Sequence, residues 1–89
     1  MKAIVTVIGK DRVGIIARVC NVLAEYNINI LDISQTILQE YFTMIMLADI
    51  SSATVDFSAL AEILEKLGED MGLSIRIQRQ DIFDAMHRI

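Results

Sequence analysis

One cysteine, Cys20, and one histidine, His87, are all that this chain offers of the residues most used for covalent and metal chemistry. A single cysteine excludes an internal disulfide and the CxxC loop of a metal chaperone. Cys20 lies among Val19, Val22 and Leu23, so it reads as a small buried hydrophobe. His87 is far from it, near the C-terminus, so neither a Cys/His nucleophilic pair nor a metal site is expected. Paired carboxylates and a histidine dyad are also missing, so no catalytic residue is assigned, no enzyme is expected and no cofactor is called for. Long apolar runs are absent: none approaches about 18 residues, which argues against a membrane span. Asp11 and Arg12 interrupt the early apolar run, so it does not read as a secretory signal, and a cytoplasmic protein is expected. Basic charge is in deficit, with 8 Lys and Arg against 12 Asp and Glu and a net charge of −4. That balance argues against nucleic acid as a partner. Aromatics are few, and Tyr41 with Phe42 does not make the exposed stacking set of an RNA-binding sheet.

What is present is one domain of 89 residues, with a core over residues 2–80 and a short C-terminal helix over 81–89. Hydrophobic residues make up 54% of it, above an ordinary globular share, which leaves apolar residues over for a partner. Residues 2–8 are β-branched and apolar on both parities, as in a central strand, and Gly9 ends the run. A helix is predicted from about residue 12 to Tyr26, with Asn27 where a left-handed terminal residue belongs. Residues 28–38 alternate, with Leu31, Ile33 and Ile37 on one side and Asp32, Ser34 and Thr36 on the other. Gln39-Glu40 reads as a turn into a third strand over 41–50. Asp56 is placed to cap a second helix over 57–70, closed by Gly72. Residues 73–80 alternate as a fourth strand, with Leu73, Ile75 and Ile77 pointing in. Asp81 then caps the final helix, with Ile82, Met86 and Ile89 at helical spacing. The order β-α-β-β-α-β predicts an α+β, ferredoxin-like fold: a four-stranded antiparallel sheet with two helices on one face.

The two long helices differ. The second carries one apolar stripe through Leu60, Leu64, Leu67 and Met71, which a sheet face can bury. The first is apolar around more than half its circumference, with only Arg18, Asn21 and Glu25 marking a wet strip. One sheet face does not cover so wide an arc, so a homodimer is expected, through edge pairing of the second strands. The alternative is that its small alanines tolerate exposure. The central strands are apolar on both faces, which predicts that the final helix or another subunit covers the open side.

The stretch GKDRVGI, residues 9–15, joins the first strand to the first helix. A ligand carboxylate suits the N–H groups of Val13, Gly14 and Ile15 at a helix start. Asp11 could pair with an ammonium, and the amide of Asn29 could serve both ends of a zwitterion. These groups are expected to converge at the ends of adjacent elements, with Asn29 coming from the facing subunit and Ile15, Ile30 and Leu31 keeping the pocket small. Each has a plainer reading: Asp11 as helix cap, Gly14 for close packing, Asn29 bonding a loop backbone, Arg12 as a solvated charge rather than a carboxylate clamp.

These residues resemble the ACT domain family of small-molecule-sensing modules. The likeness lies in Asp11-Arg12-Val13-Gly14 after a strand, then Ile15-Ile16, then Ala24-Glu25-Tyr26-Asn27-Ile28-Asn29-Ile30 at the second-strand entry. It covers roughly residues 2–80, and more narrowly the chain looks like single-domain bacterial ACT proteins and is also similar to the ACT halves of a glycine-cleavage regulatory protein. The resemblance implies amino-acid binding at a dimer interface and regulation of a partner protein, with Asp11, Gly14 and Asn29 at the family's polar, glycine and second-strand positions. Val13 stands where many members have proline, and Gly9 where serine-binding members have histidine. Acylphosphatases share the element order, but Arg12 is the only candidate loop arginine and their glycine-rich cradle is missing. Two readings follow: an amino-acid-sensing regulatory module, or a ligand-free dimeric interaction scaffold.

Overall fold

The computed structural model describes residues 1–10 and 13–81. Four strands and two helices alternate as β1 (Lys2–Lys10), α1 (Ile15–Glu25), β2 (Asn29–Leu38), β3 (Tyr41–Asp49), α2 (Phe57–Met71) and β4 (Ser74–Arg79). The sheet order is β2-β3-β1-β4, and the pairings are antiparallel. This is the ferredoxin-like arrangement that the pattern predicts. The predicted final helix lies outside the described residues beyond Asp81.

Strand alternation decides where the core sits. Ala3, Val5 and Val7 of β1 lie opposite Ala48, Met46 and Met44 of β3, and all six are buried. Ile75 of β4 joins them, paired with Val7. Ile15, Val19 and Leu23 of α1 and Leu60, Leu64, Leu67 and Met71 of α2 pack into the same cluster, so both helices share one sheet face. The other face carries Ile8, Tyr41 and Ile45, each well exposed.

Element ends correct several expectations. β1 runs through Gly9 to Lys10 instead of ending at Gly9. At Gly9, β1 passes close to Leu73: a Cβ would lie 2.3 Å from Leu73 Cδ2, so the end of that side chain would have to shift. α1 begins at Ile15, not near residue 12, because the left-handed residue Gly14 (φ 90°) precedes it. Asn27 (φ 60°) is left-handed as predicted, and Gln39 (φ 57°), in the turn predicted between β2 and β3, is left-handed too. Asp56 caps α2, its Oδ1 accepting the Ala59 N–H at 2.8 Å, and Gly72 (φ 70°) closes it. β4 stops at Arg79, and Gln80 and Asp81 are already helical.

β2 departs most from its pattern. Its register shifts between Ile30 and Asp32, so Leu31 is an extra residue against β3. Beyond the shift, Ile33 and Ile37 pair with Met46 and Phe42 and so share the helix-covered face. Being on the sheet edge, they remain 41% and 56% exposed.

Candidate functional site

The chain turns from β1 into α1 through a loop whose last residues are Val13 and Gly14. Val13 is fully exposed and its side chain meets no core. Gly14 is held at φ 90°, and a Cβ on it would meet nothing within 4 Å. Close helix packing is therefore not the reason for this glycine; the left-handed backbone is. The first helical bond runs from the Arg18 N–H to the Gly14 carbonyl at 3.0 Å. The N–H groups of Ile15, Ile16 and Ala17 thus precede the helical ladder and have no acceptor within it. The cap position falls on Gly14 rather than Asp11 and supplies no side chain. Ile15 is 2% exposed, so it belongs to the core and can offer a ligand only its N–H; it does not narrow a pocket as expected. Asp11 and Arg12 lie outside the described residues.

Asn29 is exposed and opens β2 at the other end of the domain. It stands opposite Asp49, the last residue of β3, whereas Lys10, the last residue of β1, pairs with Tyr41, the first of β3. Gly14 and Asn29 are thus separated by the length of α1, about 16 Å for its 11 residues. Loop and amide therefore do not converge within one chain, and the expected convergence, with Asn29 from the facing subunit, is one between two chains. Element order dictates this, since α1 must cross the sheet between them.

Around Asn29 lies an open hollow of about 440 Å³, lined by Ala24, Asn27, Ile28, Asn29, Asp49 and Ser52. Asn27 is the residue that bonds a loop backbone, its Nδ2 donating to the Ser52 carbonyl at 3.0 Å. The Asn29 side chain makes no hydrogen bond with another described residue. Asp49 Oδ1 accepts the Ser51 N–H at 2.9 Å. Side-chain and backbone hydrogen bonds from Ser51 hold the Asp49 carboxyl below the ordinary aspartate range, aided by the chain's α-ammonium and Lys2. Sequence reasoning missed Asp49, which carries no motif and is found only through its cross-strand partner.

A second hollow, of about 520 Å³, runs between α2 and the outer edge of β4 past Glu65, Glu69 and Arg76 and contains none of the predicted residues. Cys20 is half-buried against the core, and burial pushes its thiol up, away from nucleophile chemistry. Among the described residues no His, Cys, Asp and Glu group could hold a metal ion, and no helix is long and apolar enough to cross a membrane.

Strand order and helix placement define the class, a ferredoxin-like α+β domain. A family model described as an ACT domain matches residues 2–78. A UPF0237 protein of Clostridium acetobutylicum is 60% identical over 89 residues, covering all of both chains. The solved ACT domain protein from Streptococcus pneumoniae superposes with a TM-score of 0.83 at 46% identity over 94% of each chain. A formyltetrahydrofolate deformylase from Pseudomonas syringae matches at 28% identity and TM-score 0.76, over 88% of this chain and 27% of its own. The chain belongs to the ACT domain family, whose members are regulatory and ligand-binding.

Proposed function

We propose that this domain is a cytoplasmic regulatory module that binds a small amino acid or close analogue between two copies of itself and thereby modulates a partner protein, acting by binding and not by catalysis. The observation that carries the reading is the outer edge of β2, which no other described element pairs with. It is ten residues long, lacks lysine and arginine, and leaves Leu31, Ile33, Ile37 and Leu38 between 41% and 73% exposed. Edges that stay single are usually short, charged or covered. β4, the opposite edge, has six residues and carries Arg76 and Arg79.

Two β2 edges related by a two-fold axis pair antiparallel. Antiparallel pairing sets the Asn29 end of one strand beside the Leu38 end of the other. Leu38 pairs with Tyr41, and Tyr41 with Lys10, so this is the end from which the Val13-Gly14 loop leaves. The separation within one chain is thereby undone between two. A ligand carboxylate then meets the N–H groups that open α1, and the partner copy supplies Asn29. Asp11 and Arg12 belong to the same loop in sequence and remain candidates for this site.

Isothermal titration calorimetry with the proteinogenic amino acids at millimolar concentration tests the reading. Binding by the parent protein, lost in Asn29→Ala, supports it. A dimer that binds none of them favours the interaction scaffold, for which exposed Ile8, Leu38, Tyr41 and Ile45 would be the contact surface.

A further inference from the structure

We infer that the sheet face opposite the two helices is a docking surface at its Ile4 end, and that its occupant is the chain's own segment 82–89. The observation is a pattern of burial. Ala3, Val5 and Val7 of β1 lie on the helix-covered side, so Ile4, Thr6 and Ile8 face the other way. Ile4 is nevertheless only 9% exposed, and it is not part of the core cluster beneath the helices. Its cross-strand neighbours on that face, Leu47 and Gln78, are half-buried. Further along the same face Ser74 and Arg76 are exposed, Ile8 is 47% exposed and Ile45 is 42% exposed. Neighbouring strands screen a side chain from the sides and leave its tip open. Ile8, between Thr43 and Ser74, and Ile45, between Thr6 and Ser34, show what that screening alone achieves. Ile4 therefore has a cover that they lack.

No described element lies over Ile4, and its burial arises within a single chain, so a second copy is not what covers it. Residues 11–12 follow Lys10, about 20 Å along β1 from Ile4. Residues 82–89 follow from the right corner. β4 ends at Arg79, which pairs with Ala3, the neighbour of Ile4. Gln80 and Asp81 are already helical, and the Arg79–Asp81 ion pair of 2.8 Å spans this turn. A helix continued from Gln80 to Ile89 is about 15 Å long. Crossing from β4 over β1 to β3 takes two strand spacings, about 10 Å. Ile82, Phe83, Met86 and Ile89 recur at helical spacing, with Asp84, His87 and Arg88 on the opposite arc, so the segment has one apolar side to set on Ile4 and Leu47. Seated there, it leaves Ile8, Tyr41 and Ile45 as the open apolar remainder of this face.

The test uses the full chain, labelled at isoleucine and leucine methyls for NMR. Nuclear Overhauser contacts from the Ile4 or Leu47 methyls to the Phe83 ring or the Met86 methyl are expected, and none from the Ile8 methyl. The same spectra recorded with isotope filtering on a mixture of labelled and unlabelled chains separate contacts within a copy from contacts between copies. Contacts found only between copies overturn the inference in favour of an exchanged segment, and the lack of any contact to Ile4 or Leu47 overturns it outright. Urea unfolding of Ile4→Ala, Phe83→Ala and the double variant gives a second measure. The unfolding constant of the double variant should depart about twofold or more from the product of the single effects, as for residues in contact. Ile8→Ala combined with Phe83→Ala should show simple multiplication. Simple multiplication for the Ile4 pair as well counts against the contact and overturns the assignment.

Discussion

Two glycines show how differently the same residue type can be required. Gly14 is needed for its backbone, since at φ 90° an L side chain is strained although the space above is empty. Gly14→Ala should cost about 1–2 kcal/mol, the penalty of a left-handed non-glycine residue. Gly68 is needed for its size: a Cβ there would lie 2.6 Å from the Leu73 carbonyl oxygen and 3.3 Å from the Ile75 N. Alanine would gain about 1 kcal/mol in helix propensity. The clash is with backbone that is itself hydrogen-bonded, the Leu73 N–H donating to the Gly68 carbonyl at 2.7 Å, so the overlap should cost more than that gain. Urea unfolding should therefore show both variants destabilised, and a Gly68→Ala protein as stable as the parent would refute the packing argument. Only the loop position of the first of these glycines was legible in the sequence, where it read as a packing residue and not as a left-handed one. Gly14 stands at a strand-to-helix junction, where the pattern changes period. Gly68 sits inside a good helical pattern, and nothing local signals that β4 will pass so close.

At the scale of elements, α2 and β2 mark the two extremes of legibility. α2 is written out in full: Asp56, an apolar stripe at helical spacing, then Gly72. Its cap makes a 2.8 Å bond to Ala59, so Asp56→Ala should cost about 1 kcal/mol and Asp56→Asn little, as thermal melts would show. β2 reads correctly as an alternating strand, but its register shift at Leu31 does not show in the pattern, because it arises from pairing with β3. The pattern puts Ile33 and Ile37 on one side of the strand, and the structure leaves them exposed, because no described element of the same chain reaches the sheet edge. If a second copy covers them, Ile33→Lys and Ile37→Lys should leave a folded monomer where the parent sediments as a dimer. Their exposure of 41% and 56% makes loss of the fold itself unexpected. A parent that is monomeric at tens of micromolar, or a lysine variant that still dimerises, would remove the edge from the proposed site.

For the whole molecule the informative feature is the corner where Met1, Asn29 and Asp49 bring together the first three strands at one end of the sheet. The pattern of residues predicts those strands but not this meeting, which depends on sheet order. It is also why a carboxylate with no motif around it became the most distinctive charged group of the described fold. Asp49 bonds to Ser51 and is paired with the α-ammonium, so its carboxyl is held below the ordinary value of 3.8. A carboxyl whose folded value is depressed stabilises the protein above its unfolded value, and that contribution is lost as pH falls through the folded one. Asp49→Asn should accordingly melt below the parent at neutral pH. The gap should hold while both forms of Asp49 are ionised, then narrow as the solution is acidified past the ordinary aspartate range, and close once the carboxyl is protonated in folded and unfolded chains alike. Melting curves of the two proteins across a series from about pH 7 down to about pH 2 would trace this. A gap that stays constant into acid would mean that the contribution of Asp49 is packing and not charge, and a gap that widens would reverse the sign of the linkage.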